Sequence, residues 1–103
     1  MFGIVIEYDY LGDEAEWQTA VETFIGRIDA DDRLRGRFSY LVNVRNDGAG
    51  RIHIGRWDDE ETLGHLQSQP FFAEFAAKVA EFSGGKPKST GFRNLAGTAG
   101  SKE

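Results

Sequence analysis

Apolar residues in this chain recur at two different spacings, and the order in which those spacings alternate leaves few folds open. Between Phe2 and Tyr10 the period is two: Phe2, Ile4, Ile6, Tyr8 and Tyr10 point one way, and Gly3, Val5, Glu7 and Asp9 the other. Period two with aromatic and β-branched residues is a strand pattern. After Gly12 the period becomes helical. Trp17, Ala20, Val21, Phe24, Ile25 and Ile28 form one stripe, and Asp13 with Glu16 has capping-box spacing at its start. Charged residues 29–37 make a connection. Phe38 to Arg45 alternates again, with Phe38, Tyr40, Val42 and Val44 on one face. Asn46-Asp47-Gly48-Ala49-Gly50 is a turn, and Arg51 to Trp57 is the returning strand of a hairpin.

A second helical region follows. Asp58 with Glu61 repeats the capping-box spacing, and Leu63, Leu66, Phe71, Phe75, Val79 and Phe82 supply apolar positions. Proline clashes inside a helix but fits its first turn, so Pro70 predicts two pieces, roughly 59–68 and 70–83. Ser83-Gly84-Gly85-Lys86-Pro87 ends the region, and Thr90 to Leu95 is a last short strand. One domain over residues 1–95 is expected, with 96–103 as a flexible C-terminal tail. The order β-α-β-β-α-β is the ferredoxin-like plan: an α+β fold with a four-stranded antiparallel sheet and helices on one face.

That plan leaves the other sheet face uncovered. Aromatic and branched residues occupy both faces here: Leu41, Ile52 and Ile54 oppose the Tyr40, His53 and Trp57 sets. An exposed apolar sheet face marks an interface, so a homodimer joined through its sheet faces is expected.

Composition narrows the function. The formal net charge is −5, which disfavours a nucleic-acid footprint or docking on an anionic membrane. Arg35 to Val42 (RGRFSYLV) faintly resembles the aromatic signature of RNA-recognition modules, but that signature belongs on the third strand, not the second. The absence of cysteine excludes disulfides, thiolate metal sites and cysteine nucleophiles. The N-terminal stretch has no basic region before its apolar residues, so no signal peptide is read and a cytoplasmic location is expected.

Few residues carry chemistry. His53, Gly55 and Trp57 share a strand face, which places His53 to reach a cavity or an interface. His65 leans off the apolar stripe of its helix, next to Leu66, and is expected to face solvent. Two histidines without further assignable ligands make no metal site. Tyr8 and Tyr40 offer hydroxyls, or serve only as half-buried strand residues. Asp58 to Glu61 reads as helix capping rather than a carboxylate cluster, and the glycines at 48–50 and 84–85 lack phosphate-loop spacing.

Trp57 at the end of the third strand, followed by Asp59, Glu61, Leu63, Leu66 and Pro70-Phe71-Phe72, resembles the antibiotic biosynthesis monooxygenase-like proteins over residues 2–95. The resemblance implies a dimeric α+β barrel with a cavity between sheet and helices. Some members oxidise quinol-like or polyketide aromatics with O₂ and neither metal nor flavin. Haem-degrading relatives need a histidine where this chain has Phe75 and an asparagine where it has Tyr8, so haem degradation is not expected. The implied function is a monooxygenase without cofactor, acting on a small aromatic or quinol-like compound. Tyr8 and His53 would serve as catalytic residues, and Trp57, Tyr40, Phe71, Phe75 and His65 would contact substrate. The competing reading is a non-enzymatic small-molecule-binding or stress-related barrel whose aromatics serve the core and dimer.

Overall fold

The computed structural model describes residues 1–101. Its elements are β1 (Phe2–Asp9), α1 (Glu14–Asp29), β2 (Phe38–Val44), β3 (Gly50–Trp57), α2 (Glu60–Ser68), α3 (Pro70–Phe82) and β4 (Lys88–Arg93). A short 3₁₀ turn, Ala99–Ser101, follows. The strands form one antiparallel sheet in the order β2-β3-β1-β4. This is the ferredoxin-like βαββαβ fold that the alternating spacings require. Among the described residues no helix is long and apolar enough to cross a membrane.

Local chemistry sets the helix ends. Asp13 caps α1, its Oδ1 accepting from the amides of Ala15 at 2.9 Å and Glu16 at 3.3 Å. The cap of α2 is Asp59 rather than the expected Asp58: Asp59 Oδ1 accepts the Thr62 amide at 2.9 Å. Asp58 is engaged elsewhere, accepting from Arg37 Nε at 2.8 Å and Thr62 Oγ1 at 2.7 Å. Arg37 engages both acidic residues, its Nη2 donating to Asp59 Oδ2 at 3.0 Å, while the other Asp58 oxygen is taken by the Thr62 hydroxyl and the other Asp59 oxygen by the Thr62 amide. Pro70 opens α3 after Gln69 leaves the helical conformation (φ −80°, ψ 137°).

β4 begins and ends earlier than Thr90–Leu95. Its extent is fixed by pairing with β1, which runs out where Phe2 meets Arg93. In the expected tail, residues 99–101 turn back, and Arg56 Nη2 donates to the Ser101 carbonyl at 3.0 Å. Residues 102 and 103 lie outside the described part of the chain.

Register decides which set of each strand meets the helices. Pairing places Phe2, Ile4, Ile6 and Tyr8 of β1 beside Trp57, Gly55, His53 and Arg51 of β3. Phe38, Tyr40, Val42 and Val44 of β2 line up on the other side of the same four residues. The helical layer closes over the middle of this face with Trp17, Val21, Phe24 and Ile28 from α1, Leu66 from α2, and Phe75, Val79 and Phe82 from α3, leaving Phe2 and Val44 exposed at its ends. The charged connection between α1 and β2 is pinned by Leu34, which is fully buried.

On the opposite face, Leu41, Ile54, Val5 and Thr90 form a row across all four strands. Leu41 is 57% exposed. Gly3 on this face has no room for a side chain, because a Cβ there would come within 2.2 Å of the Phe92 ring.

Leu66 is 1% exposed where α2 meets the sheet-facing core. Replacing it by alanine leaves a cavity, so Leu66→Ala is expected to lower unfolding free energy by about 2–5 kcal/mol. Urea denaturation, with the midpoint falling at unchanged slope, checks this.

Candidate functional site

Three strands bring one polar chain together under the helical layer. His53 on β3 has no exposed surface. Its neighbours on the same sheet face are Tyr8 on β1 and Tyr40 on β2, placed diagonally on either side. Tyr8 Oη lies 2.8 Å from His53 Nε2, and Tyr40 Oη lies 2.8 Å from His53 Nδ1. Trp17 on α1 extends the chain, its indole N–H donating to Tyr8 Oη at 2.9 Å. Gly55, opposite Tyr40 in the register, keeps that ring close to β3, since a Cβ there would stand 3.2 Å from Tyr40 Cδ1.

Burial dominates the electrostatics. Desolvation pulls the His53 imidazolium down to a pKa of about 4, so the ring is neutral at physiological pH. Desolvation also raises both phenols, Tyr40 strongly, so each keeps its proton. For Tyr8 the hydrogen bond from Trp17 and the charge of Arg51 act in the opposite direction. Arg51 is 1% exposed, lies 4.2 Å from the centre of the Trp17 ring and pairs with Glu14 through Nη2. Its Nε and Nη1 have no hydrogen-bond partner among the described residues.

Beside this chain lies an apolar cavity of about 300 Å³ between sheet and helices. Ile4, Tyr40 and Trp57 form part of its sheet side, and Leu66, Phe72 and Phe75 part of its helical side. Tyr40 is thus the member of the polar chain that lines the cavity. A wider, open groove of about 770 Å³ runs between α1 and α3. Phe24 and Phe75, stacked at 4.0 Å, line both spaces.

The residues expected from sequence therefore occupy different places. Tyr8, His53 and Tyr40 are joined by hydrogen bonds, and Trp57 stacks on Phe38 along the cavity wall. Phe75 lines the cavity, whereas Phe71 lines the α1–α3 groove, and Phe72 lies at the cavity instead. His65 does not face solvent. Its side chain is 14% exposed and its Nε2 lies 2.8 Å from Asp31 Oδ2 in the α1–β2 connection. Burial works against the Asp31 carboxylate, but the hydrogen bonds from His65 and the Arg33 amide outweigh it and hold its pKa below the usual range. The periodicity of α2 alone cannot show that this connection folds over its flank.

Trp17 and Arg51 are the members that sequence reasoning missed. Trp17 was absorbed into the apolar stripe of α1. Arg51 carried a usable signal: it stands two residues before His53, so strand alternation puts a cation on the inward face. Among the described residues, no three His, Cys, Asp or Glu side chains are grouped to hold a metal ion.

No protein-family model matches this chain, and no curated protein matches it. Solved structures do. Rv0793 from Mycobacterium tuberculosis is 16% identical, with a TM-score of 0.76 over 95% of this chain and 98% of that one. SnoaB, a cofactor-independent oxygenase from Streptomyces nogalater, is 15% identical, with a TM-score of 0.74 over 95% and 96% of the two chains. A Nitrosomonas europaea protein provisionally named an antibiotic biosynthesis monooxygenase is 10% identical, with a TM-score of 0.74 over 93% and 100%. Several structural neighbours across most of the chain carry the name antibiotic biosynthesis monooxygenase, the family that the resemblance in the sequence implies. At these identities the likeness is one of fold.

The depressed His53 pKa has a consequence for stability. Unfolded, the imidazole binds a proton near pH 6.5; folded, it does so only near pH 4. Between those values the unfolded chain holds more protons, so stability is full above pH 6.5 and falls as pH falls. The expected loss by pH 4 is about 3 kcal/mol from this residue. An NMR titration of the His53 ring checks it: its signals should stay unshifted from pH 8 down to roughly pH 5.

Proposed function

We propose that this protein is a monooxygenase that needs no cofactor and acts on a small aromatic or quinol-like compound bound in the cavity between sheet and helices. The observation that carries this reading is the Tyr8–His53–Tyr40 chain, buried at one end and lining a largely apolar cavity at the other. A water-poor pocket with few polar groups, Tyr40, Ser89 and Gln67, suits a flat apolar molecule that carries an oxygen. Hydrogen bonding at that oxygen favours its deprotonated form, which gives up electrons to O₂ more readily. One oxygen atom then bonds to the substrate ring, and the other leaves as water with the two hydrogens the substrate has lost. The protein's part is to orient the substrate, hold the charge that develops on its oxygen, and exclude bulk water. Trp57, stacked on Phe38, supplies a flat wall, and Phe72 and Phe75 the opposite one. SnoaB, on the same fold, is a cofactor-independent oxygenase.

The reading includes a homodimer with sheets face to face. The row Leu41–Ile54–Val5, together with Ile52 and Phe92, is the apolar surface that such an arrangement would bury. Glu7 and Lys88, paired across β1 and β4 on this face, would sit in or beside the interface.

Oxygen-electrode measurements with a panel of anthrones and quinols test the activity. Uptake is expected, and Tyr40→Phe is expected to lower kcat roughly a hundredfold. No uptake with any compound would favour the non-enzymatic barrel. Light scattering tests the assembly: the mass should be twice that of one chain, and Leu41→Asp should return it to one chain without unfolding the protein.

A further inference from the structure

The hydrogen-bond chain has two possible directions, and the surroundings of its two ends are not alike. A neutral imidazole donates from one nitrogen and accepts at the other. If Nδ1 carries the proton, Tyr8 donates to Nε2, Nδ1 donates to Tyr40, and the hydroxyl proton of Tyr40 is left to find an acceptor. If Nε2 carries it, every bond reverses and the hydroxyl proton of Tyr8 is the one left over.

The Tyr8 end is closed. Tyr8 is 8% exposed, and its oxygen already accepts the indole N–H of Trp17. The Arg51 guanidinium lies over the Trp17 ring, directly across the sheet from Tyr8. With Nε2 protonated, the Tyr8 oxygen would have to accept from Trp17 and His53 together, while its own proton would have no acceptor among the described residues and would sit beside a buried cation. The Tyr40 end is open to the cavity, where a ligand oxygen can accept. An unsatisfied buried hydroxyl alone disfavours the Nε2 tautomer by roughly ten- to hundredfold, and the nearby cation acts in the same sense.

We infer that Trp17 is a positioning residue, steadied by Arg51 stacked on its ring. Its N–H holds Tyr8 as a donor to His53, fixes the His53 proton on Nδ1, and turns the Tyr40 hydroxyl into a donor for a ligand that presents an acceptor oxygen, a carbonyl or a phenolate. Trp17 itself does not line the cavity, so its effect reaches the ligand only through the chain. The ligand class deepens the oxygenase reading and rests on it for turnover. The tautomer and the preference for an acceptor do not.

The test uses the full-length protein labelled with ¹⁵N on histidine. Long-range proton–nitrogen spectra near neutral pH should show His53 Nδ1 protonated and Nε2 bare. Trp17→Phe keeps an aromatic ring but removes the N–H, and should move the population toward protonated Nε2. Tyr8→Phe, a smaller change that spares the helix, should do the same if Trp17→Phe fails to fold. A binding comparison follows with 1,4-naphthoquinone, which has only acceptor oxygens, and naphthalene, which has none. The quinone should bind more tightly, and Trp17→Phe should shrink that preference roughly three- to tenfold, the worth of one neutral hydrogen bond. A wild-type His53 protonated on Nε2 would overturn the inference, as would a quinone preference untouched by both variants. Absence of oxygen uptake would overturn the oxygenase reading alone.

Discussion

A neutral imidazole with no contact to water must find hydrogen-bond partners for both nitrogens inside the protein, and much of this fold is arranged around that demand. Leaving either nitrogen unpaired would cost about 1–3 kcal/mol, a sizeable part of a small domain's stability. The partners of His53 come from the two strands that flank its own, so the β1–β3 and β2–β3 registers must both be correct for the histidine to be tolerated. A slip of one residue in either pairing would turn Tyr8 or Tyr40 to the opposite face. The polar chain therefore selects a single register as well as forming the candidate site.

The same demand explains the contrast between the two layers. Where strands meet helices, the contacts are large aromatics in edge-on and stacked pairs, with Tyr40 packed against both Phe24 and Phe75. Those rings exclude water from His53 and so depress its pKa. By contrast, the ion pairs that join the α1–β2 connection to α2, Arg37 with Asp58 and Asp59, are about half exposed and contribute little energy individually. They tie the start of α2 to the connection rather than add firmness to the core.

Much of this was legible in the chain itself. Element order followed from spacing, and Pro70 marked the division between α2 and α3 at the observed place. That His53, Gly55 and Trp57 share one face followed from strand alternation, and the register and helical layer make that face the inward one. What failed depended on tertiary neighbours. His65 looked solvent-facing because helical periodicity knows nothing of the loop carrying Asp31. Spacing singled out Asp58 as the cap, but its Oδ1 accepts the Thr62 hydroxyl and Asp59 takes the Thr62 amide. The pairing of His53 with two tyrosines needed the register of three strands at once, and Trp17 joined it from the helix that follows β1. Periodicity could place it only among other apolar residues.

The interruption at Gln69 and Pro70 has a mechanical consequence. Backbone hydrogen bonding along a helix makes it behave as one stiff rod, and here the rod is cut. Leu63 and Leu66 belong to one segment of the cavity roof, Phe72, Phe75 and Val79 to another. The two segments meet through an extended residue rather than a continuous ladder. The roof over the enclosed volume is therefore two helices set at an extended joint rather than one continuous rod, and only α2 is tied to the α1–β2 connection, through His65 with Asp31 and through Arg37 with Asp58 and Asp59.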